Sequence, residues 1–298
     1  MHPVAAIISD FLAQALKTVF RFLVLVFFMI FAMVEYVLKL CVRCEPINSR
    51  DQVLIVGCCG TLGSEVTYRL AKSGCKFVLI DKNKSELENM IENIKANTNN
   101  EVIYLCEDVT NFNPIKSFLD DLIDRKIPPT VVIFCPAIES SGIASAIGAR
   151  MFNHIMNVNV TSLVNMMNVL LPYMPTNTRI GVICSMLSFS SCMYSSAYCA
   201  SKAALDSYTQ SMQLEYPQYS FSTIYPCKIR GPLFKNFHYH DMVKCIVDEH
   251  DPKYVAENVI WMLENRVSSI YLPFFIVYIK WLPNQFKNFI LSKIYHVD

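Results

Sequence analysis

The sequence lacks an excess of charge of either sign, because its 26 lysine and arginine residues nearly balance 25 aspartate and glutamate residues. Nucleic acids and acidic surfaces attract proteins with a basic field, so this balance argues against such partners. Charge of any kind is also scarce: charged residues make up 17% of the chain, 53% are hydrophobic, and mean hydropathy is +0.32. This composition predicts that some apolar surface faces lipid.

The chain also lacks internal repeats, low-complexity segments and a regular cysteine framework. Its 12 cysteines are scattered through segments that read as strands and helices, which is typical of buried thiols in a reducing compartment. Cys41 and Cys44 form a Cys-x-x-Cys pair, but no second pair follows at zinc spacing, so we predict no metal site. The length of 298 residues allows one catalytic domain with appendages.

An uncharged apolar run covers residues 22–34, with charged residues at both edges. It is of marginal membrane-spanning length and is not followed by a clean cleavage site, so residues 1–49 are predicted to be a retained membrane anchor helix. A buried helix of the globular domain is the alternative interpretation. A small excess of basic residues after the run weakly favours a cytosolic main domain.

After the anchor, short β-branched runs alternate with helical patterns over residues 50–270. This alternation predicts an α/β fold with a doubly wound parallel sheet, the Rossmann arrangement. A long apolar helix is expected over residues 151–171, and the last strand of the series over residues 222–225. The predicted earlier strands are residues 53–56, 76–80, 102–105, 131–134 and 180–184.

Gly57, Gly60 and Gly63 fall in the turn between the first strand and the first helix. Glycines there let the backbone approach a pyrophosphate and present helix amides to it, and an ordinary turn is the alternative. Asp81 ends the second strand, where a carboxylate can bind both adenosine ribose hydroxyls and repel a 2′-phosphate. We therefore predict NAD, with NADP less favoured. A simple turn role beside Lys82 is the alternative for Asp81.

Tyr198 and Lys202 are spaced to lie on one face of a helix, one turn apart. The ammonium group is expected to favour the phenolate and to lower the tyrosine pKa towards working pH, which would make Tyr198 a usable general acid and base. Ser185 precedes the tyrosine by thirteen positions, at the end of a predicted strand, where its hydroxyl can bind the reacting oxygen.

With Tyr-Cys-Ala-Ser-Lys-Ala-Ala-Leu at residues 198–205 and Ser185 upstream, the sequence resembles the short-chain dehydrogenase/reductase family over residues 52–233. Asn159 matches the family asparagine that holds a water in a proton relay, and Asp108 with Val109 matches the pair that positions adenine. The resemblance implies that Tyr198 exchanges the hydroxyl proton, that Lys202 binds the nicotinamide ribose, and that Ser185 orients the substrate oxygen. The cofactor contacts expected from these matches are Gly57, Gly60, Thr61, Leu62, Gly63, Asp81, Asp108, Val109, Tyr198, Lys202 and Pro226.

Three stretches depart from the family pattern. Thr61 stands where the second glycine of the turn is usual, and a β-branched side chain there is expected to crowd the pyrophosphate. Residues 134–137 replace the usual Asn-Asn-Ala-Gly, and Pro226 is followed by Cys227 in place of glycine. Lys228 and Arg230 then occupy a loop expected to face the nicotinamide and its phosphates.

An N-terminal anchor and an apolar, basic-tipped tail over residues 271–298 resemble the membrane-bound subgroup that includes retinol dehydrogenases and 17-beta-hydroxysteroid dehydrogenases of types 11 and 13. The expected tail is amphipathic, at the membrane interface or over the substrate pocket, and a core helix is the alternative. The resemblance implies NAD-linked oxidation of a lipophilic alcohol (retinoid, steroid or fatty alcohol) at the endoplasmic reticulum or a lipid droplet, and a homodimer. A weakly active or inactive dinucleotide-binding scaffold and an NADPH-linked carbonyl reductase are the alternatives.

Overall fold

The computed structural model describes residues 44–234, 249–274 and 276–283, together with the single positions 26, 285 and 287. The description below concerns the compact unit Glu45–Asp298 within those ranges. The helices that the structure describes include none that is both long and apolar enough to cross a bilayer. Apart from position 26 and residues 44–49, the predicted anchor lies outside the described residues.

The centre of the fold is a seven-stranded sheet in which every pairing is parallel. The strands are β1 Gln52–Val56, β2 Lys76–Asp81, β3 Val102–Cys106, β4 Val131–Phe134, β5 Arg179–Ile183, β6 Ser220–Pro226 and β7 Ser269–Leu272. Their order in the sheet is β3-β2-β1-β4-β5-β6-β7, so the direction in which strands are added reverses between β1 and β4. This confirms the predicted doubly wound α/β sheet.

Helices cover both faces of the sheet, because strands buried on two sides need an apolar partner on each. The helices are α1 Thr61–Leu70, α2 Lys84–Asn97, α3 Phe112–Asp124, α4 Ala144–Met156, α5 Ser162–Leu170, α6 Ser196–Glu215, α7 Pro252–Glu264 and α8 Ile276–Trp281. In the first core, α1, α2 and α7 pack against one face of the sheet, and in the second core α3, α5 and α6 pack against the other.

β1 shows why the apolar runs form central strands. Val53 and Ile55 belong to the first core, whereas Leu54 and Val56 belong to the second, since successive side chains of a strand point to opposite faces. All four side chains are buried. A continuous β-branched run therefore satisfies both layers at once.

The long helix expected over residues 151–171 is present, and its helical path continues from just after Gly148 to Leu170, but a π-helical turn lies within it. Its first part, α4, begins earlier, at Ala144, and is kinked at Gly148, whose φ is 66°. A π-helical turn, Asn157–Thr161, then separates α4 from α5. Such single-turn bulges insert one extra residue per turn and often occur at functional sites, and this one contains Asn159.

The sheet also continues beyond the strand predicted at residues 222–225. After that strand come α7, which begins at Pro252 with the Asp251 side chain capping its first turn, and then β7. β7 includes Tyr271, the residue at which the tail was predicted to begin. The Asp-Pro pair is an ordinary helix start signal, so the sequence contained the information for this helix.

The described part of the tail packs on the folded unit. In α8, Ile276 is buried, and the Lys280 Nζ atom lies 5.2 Å from the centre of the Tyr225 ring and 3.8 Å from Asp206 Oδ2. Tyr225 and Tyr271 stack beneath it with ring centres 4.7 Å apart. α8 belongs to the same apolar cluster as Cys184 and Cys227, which line the cavity described below, while residues 288–298 lie outside the described residues.

Candidate active site

A cavity of about 570 Å³ opens at the carboxyl ends of the strands, where β1 and β4 lie side by side. This is the place where doubly wound sheets bind ligands. The expected cofactor contacts and three of the four expected catalytic residues line it. The lining set contains Gly57, Gly60, Thr61, Leu62, Gly63, Asp81, Asp108, Val109, Ser185, Tyr198, Lys202 and Pro226.

The glycine turn after β1 has two positions that only glycine fits. Gly57 has a φ of +74°, in the left-handed region, and a Cβ added to Gly63 would lie 2.1 Å from the Gly57 carbonyl oxygen. The turn therefore folds tightly back against the start of α1. Gly60 immediately precedes that helix, so the free amides of its first turn lie beside the cavity and form a site suited to a phosphate.

Thr61 is the first residue of α1 and is exposed at the cavity wall. Its hydroxyl oxygen lies 3.0 Å from the position that a Cβ on Gly231 would occupy. The threonine side chain thus fills space between the glycine turn and the loop after β6. This placement is compatible with the expected crowding of a pyrophosphate.

Asp81, the last residue of β2, is held by two backbone amides. Its Oδ2 accepts a hydrogen bond from the Cys59 N–H at 2.8 Å, and its Oδ1 accepts one from the Asn83 N–H at 3.0 Å. Each carboxylate oxygen has further acceptor capacity. The carboxylate is therefore fixed at the cavity wall with capacity left for ribose hydroxyls.

Asp108, in the loop after β3, faces Lys82 across the cavity rim with 3.2 Å between Lys82 Nζ and Asp108 Oδ2. Its Oδ1 accepts hydrogen bonds from the amide and the hydroxyl of Thr110. Although partial burial opposes ionisation, these hydrogen bonds and the lysine charge lower the pKa of Asp108. The carboxylate fixes this loop, and Val109 beside it lines the cavity.

Tyr198 and Lys202 lie one turn apart on α6, and both are almost fully buried. The Lys202 ammonium donates to the Ile183 carbonyl at 2.9 Å and lies 5.6 Å from the centre of the Tyr198 ring. Ser185, two residues after β5, completes the group, and its hydrogen bond favours the Tyr198 phenolate. Helix α6 and strand β5 thus bring the three groups to one end of the cavity.

The sequence predicted a lowered pKa for Tyr198, whereas in the structure this pKa is raised. Burial raises the pKa of Tyr198, the neighbouring Cys184 thiol adds to the rise, and the Ser185 hydrogen bond only partly offsets it. Burial also lowers the pKa of Lys202. Because the phenolate and the ammonium both lose hydration in this interior, desolvation dominates the pair.

Asn159 lies behind the cavity wall and is fully buried. Its Oδ1 accepts from the Ile138 N–H at 2.8 Å, while its Nδ2 donates to the Ile138 carbonyl at 3.0 Å and to Ser201 Oγ at 2.9 Å. Ile138 lines the cavity. The asparagine therefore ties the loop after β4 to helix α6.

Sequence reasoning missed several residues of the cavity wall, above all Glu139. Its Oε1 accepts hydrogen bonds from Ser195 Oγ at 3.0 Å and Ser141 Oγ at 2.8 Å, and its charge contributes to the raised pKa of Tyr198. The available signal was its position just after the predicted strand at residues 131–134, at the carboxyl edge of the sheet where ligands bind. The other missed lining residues near the catalytic end include Cys135, Ile138, Ile183, Cys184 and Cys227.

Lys228 and Arg230, both expected near the cofactor, lie in different surroundings. Arg230 lines the cavity and lies 3.7 Å from Asp251, whereas Lys228 forms an ion pair with Glu249. Of the tetrad at residues 134–137, Phe134 ends β4 and points into the second core, and the other three line the cavity.

Known proteins share both the sequence pattern and the fold. The chain is 22% identical to "Dehydrogenase/reductase SDR family member 7" of Mus musculus over 210 residues, which is 68% of this chain and 62% of that protein. It is 29% identical to "11-beta-hydroxysteroid dehydrogenase-like 2" of Arabidopsis thaliana over 174 residues, or 55% and 54% of the two chains. The chain thus spans between half and two thirds of the length of these relatives.

Among solved structures, an alcohol dehydrogenase from the archaeon Thermococcus sibiricus, complexed with 5-hydroxy-NADP, superposes with a TM-score of 0.67 at 19% identity. The match covers 74% of this chain and 95% of that one, and at this identity it shows the fold alone. The model of the family described as short chain dehydrogenase matches residues 51–240, more than half of the sequence. The chain therefore belongs to the short-chain dehydrogenase family.

Proposed function

We propose that this protein is an NAD-linked oxidoreductase that interconverts a lipophilic alcohol and its carbonyl compound. The observation that carries the proposal is one cavity with two chemically distinct ends. A glycine turn, a helix N-terminus and Asp81 form one end, and Ser185, Tyr198 and Lys202 form the other. A dinucleotide fits the first end, where a Cβ on Gly63 would occupy the turn.

The residues at the catalytic end have separate roles in this proposal. A bound nicotinamide would supply or accept the hydride. Tyr198 transfers the proton at its hydroxyl, to the carbonyl oxygen in reduction and from the alcohol in oxidation. Ser185 orients the substrate oxygen, and Lys202, held by the Ile183 carbonyl, is placed to bind the nicotinamide ribose. Burial of Tyr198 excludes competing water from this proton transfer.

The lipophilic character of the substrate is inferred from the catalytic end. Cys184, Cys227, Ile138 and Ile183 line the cavity near Tyr198, and Leu187 and Cys192 pack against the tyrosine. Such a lining favours an apolar ligand with a single polar reacting group. The hydroxysteroid dehydrogenase name of the Arabidopsis relative is consistent with a steroid-like substrate.

NAD is preferred to NADP in this proposal because Asp81 would repel a 2′-phosphate. Lys82 and Arg230 also line the cavity and favour the NADPH-linked alternative, but each faces a carboxylate, Asp108 or Asp251. Affinities for NADH and NADPH in wild type and Asp81→Ala separate the two. We expect tighter NADH binding in wild type and relaxed selectivity in the variant, whereas an NADPH preference in wild type would favour the alternative.

We also propose that residues 1–49 anchor the catalytic domain on a membrane, at the endoplasmic reticulum or a lipid droplet, with that domain in the cytosol. The apolar run at residues 22–34 supports this, and alkaline extraction of membranes from expressing cells tests it.

A homodimer through α4 and α6 is proposed as well, since Met151 and Phe152 are exposed apolar residues of α4. Sedimentation in detergent reports the oligomeric state.

Turnover of a panel of retinols, steroids and fatty alcohols with NAD, by the detergent-purified protein, tests the main proposal. Tyr198→Phe should reduce kcat by about 10²–10⁴-fold, the usual contribution of a positioned acid or base, with little change in NADH affinity. Tyr173→Phe, at an exposed tyrosine, is the matched control. Unchanged turnover in Tyr198→Phe would refute the mechanism, and NADH binding without wild-type turnover would favour the inactive scaffold.

A further inference from the structure

The glycine turn carries two adjacent thiols beside a carboxylate. Cys58 is fully buried and Cys59 lines the cavity, and their sulfur atoms are 3.9 Å apart. One Asp81 oxygen completes a group of three potential ligand atoms that all lie within 4.8 Å of one another. The Cys59 N–H, at 2.8 Å from Asp81 Oδ2, keeps the carboxylate on the thiol side of the turn.

The separation of the two sulfurs matches the spacing that a tetrahedral metal requires. Zn–S bonds of about 2.3 Å at tetrahedral angles place two sulfurs about 3.8 Å apart, close to the 3.9 Å observed. A carboxylate oxygen bound to the same ion would lie about 3.6 Å from each sulfur. Since the ligand atoms lie within 4.8 Å of one another, each sulfur-to-oxygen distance needs to shorten by at most about 1.2 Å, which side-chain rotation can supply.

We propose that Cys58, Cys59 and Asp81 form a binding site for a thiophilic divalent cation such as Zn²⁺. Two thiolates and one carboxylate oxygen coordinate the ion, and the two thiol protons pass to solvent. Three protein ligands leave a fourth position for water or another small ligand. No oxidation or reduction takes place in this step.

Metal binding at this site has a direct consequence for the cofactor, and this consequence rests on the proposed function. Asp81 is the carboxylate assigned to the adenosine ribose, and the turn carrying both thiols is the one assigned to the pyrophosphate. When one Asp81 oxygen binds the metal, that oxygen is withdrawn from the ribose hydroxyls, and the ion lies beside the turn assigned to the pyrophosphate. Metal and NAD are therefore expected to compete, so that the cation acts as a competitive inhibitor.

The binding experiment uses the full-length, metal-free protein in a Cys41→Ser/Cys44→Ser background, which removes the second close cysteine pair of the sequence. Cd²⁺ alone is titrated, and thiolate-to-metal charge-transfer absorption in the ultraviolet reports binding. We expect saturation at one Cd²⁺ per chain and at least tenfold weaker binding in Cys58→Ser and in Cys59→Ser. Cys199→Ser, at a partly exposed thiol on α6, should leave the titration unchanged.

Cys58 is buried, so its replacement can disturb folding, whereas Cys59→Ser and Asp81→Asn change partly exposed side chains and keep the test decisive. Cd²⁺ binding that is undiminished in Cys59→Ser and Asp81→Asn overturns the site. Addition of NAD is then expected to release Cd²⁺ from the wild-type turn. If the variants abolish Cd²⁺ binding while saturating NAD leaves it intact, the metal site stands and the proposed cofactor placement fails.

Discussion

Replacement of Asn159 by alanine tests whether the loop after β4 is positioned from behind. The side chain is fully buried and makes three hydrogen bonds, two to the Ile138 backbone and one to Ser201. A typical intramolecular hydrogen bond contributes about 1 kcal/mol, and a buried group left without a partner costs about 1–3 kcal/mol. Ile138 borders the cavity, where water can partly replace its bonds, so we expect a loss of about 3 kcal/mol in unfolding free energy.

The same substitution should also weaken the site. Without the asparagine, the loop carrying Ile138 and Glu139 is no longer tied to α6, so the cavity wall near Tyr198 loses its fixed position. We expect lower kcat and weaker NADH binding together. This outcome differs from that of Tyr198→Phe, which should spare NADH binding.

Urea unfolding of the detergent-purified protein, followed by circular dichroism, gives the change in free energy, and fluorescence titration gives the NADH affinity. Asn168→Ala, at an exposed asparagine of α5, is the matched control and should cost less than about 0.5 kcal/mol. In Asn159→Asp, an oxygen replaces the donor that faces the Ile138 carbonyl, so this variant should be no more stable than Asn159→Ala. If Asn159→Ala matches the control in both assays, the positioning role is refuted.

Three further outcomes follow from the structure. Thr61→Gly should tighten NADH binding by roughly fivefold, about 1 kcal/mol of relieved crowding, and unchanged or weaker binding in the same fluorescence titration would contradict this. Because burial raises the pKa of Tyr198, the phenol persists at neutral pH. We therefore expect kcat/KM for oxidation to rise with pH, and kcat/KM for reduction to stay level until alkaline pH. A pH-independent kcat/KM for oxidation would argue against Tyr198 as the base. Arg179→Met should lower the unfolding free energy by about 3 kcal/mol, because buried Asp51, 2.7 Å away, loses its charge partner but keeps hydrogen bonds from Thr130 and the Asn48 amide. Lys76→Met, at the surface pair with Glu101, should cost at most about 1 kcal/mol.

Much of the fold was predictable because it follows from local patterns. Runs such as residues 53–56 are apolar on both faces, which in a parallel sheet is required of each central strand. The position of Asp81 follows from the same reasoning, since the carboxyl ends of parallel strands meet at one edge. The kink at Gly148 and the π turn around Asn159 depend on packing between elements, and a smooth apolar pattern across residues 151–171 does not reveal them.

In the candidate site too, some features were predictable from the sequence and others were not. The proximity of Tyr198 to Lys202 follows from helical periodicity, and the structure brings both together with Ser185. The direction of their pKa shifts does not follow from spacing, because burial of both side chains is decided by the surrounding elements. Glu139 was missed because its proximity to Tyr198 depends on how the loop after β4 packs against Ser195, the residue before α6.

The two ends of the cavity are supported differently, and this bears on the departure from the family pattern at Thr61. At the catalytic end, Lys202 and Asn159 are buried side chains held by hydrogen bonds, so a substitution there leaves buried polar groups without partners. At the glycine turn, Asp81 is held by backbone amides of Cys59 and Asn83, which any residue except proline supplies. The partly exposed or exposed side chains Cys59 and Thr61 can therefore vary there without loss of the fold, and we expect such changes in the turn to alter cofactor affinity much more than the proton transfer.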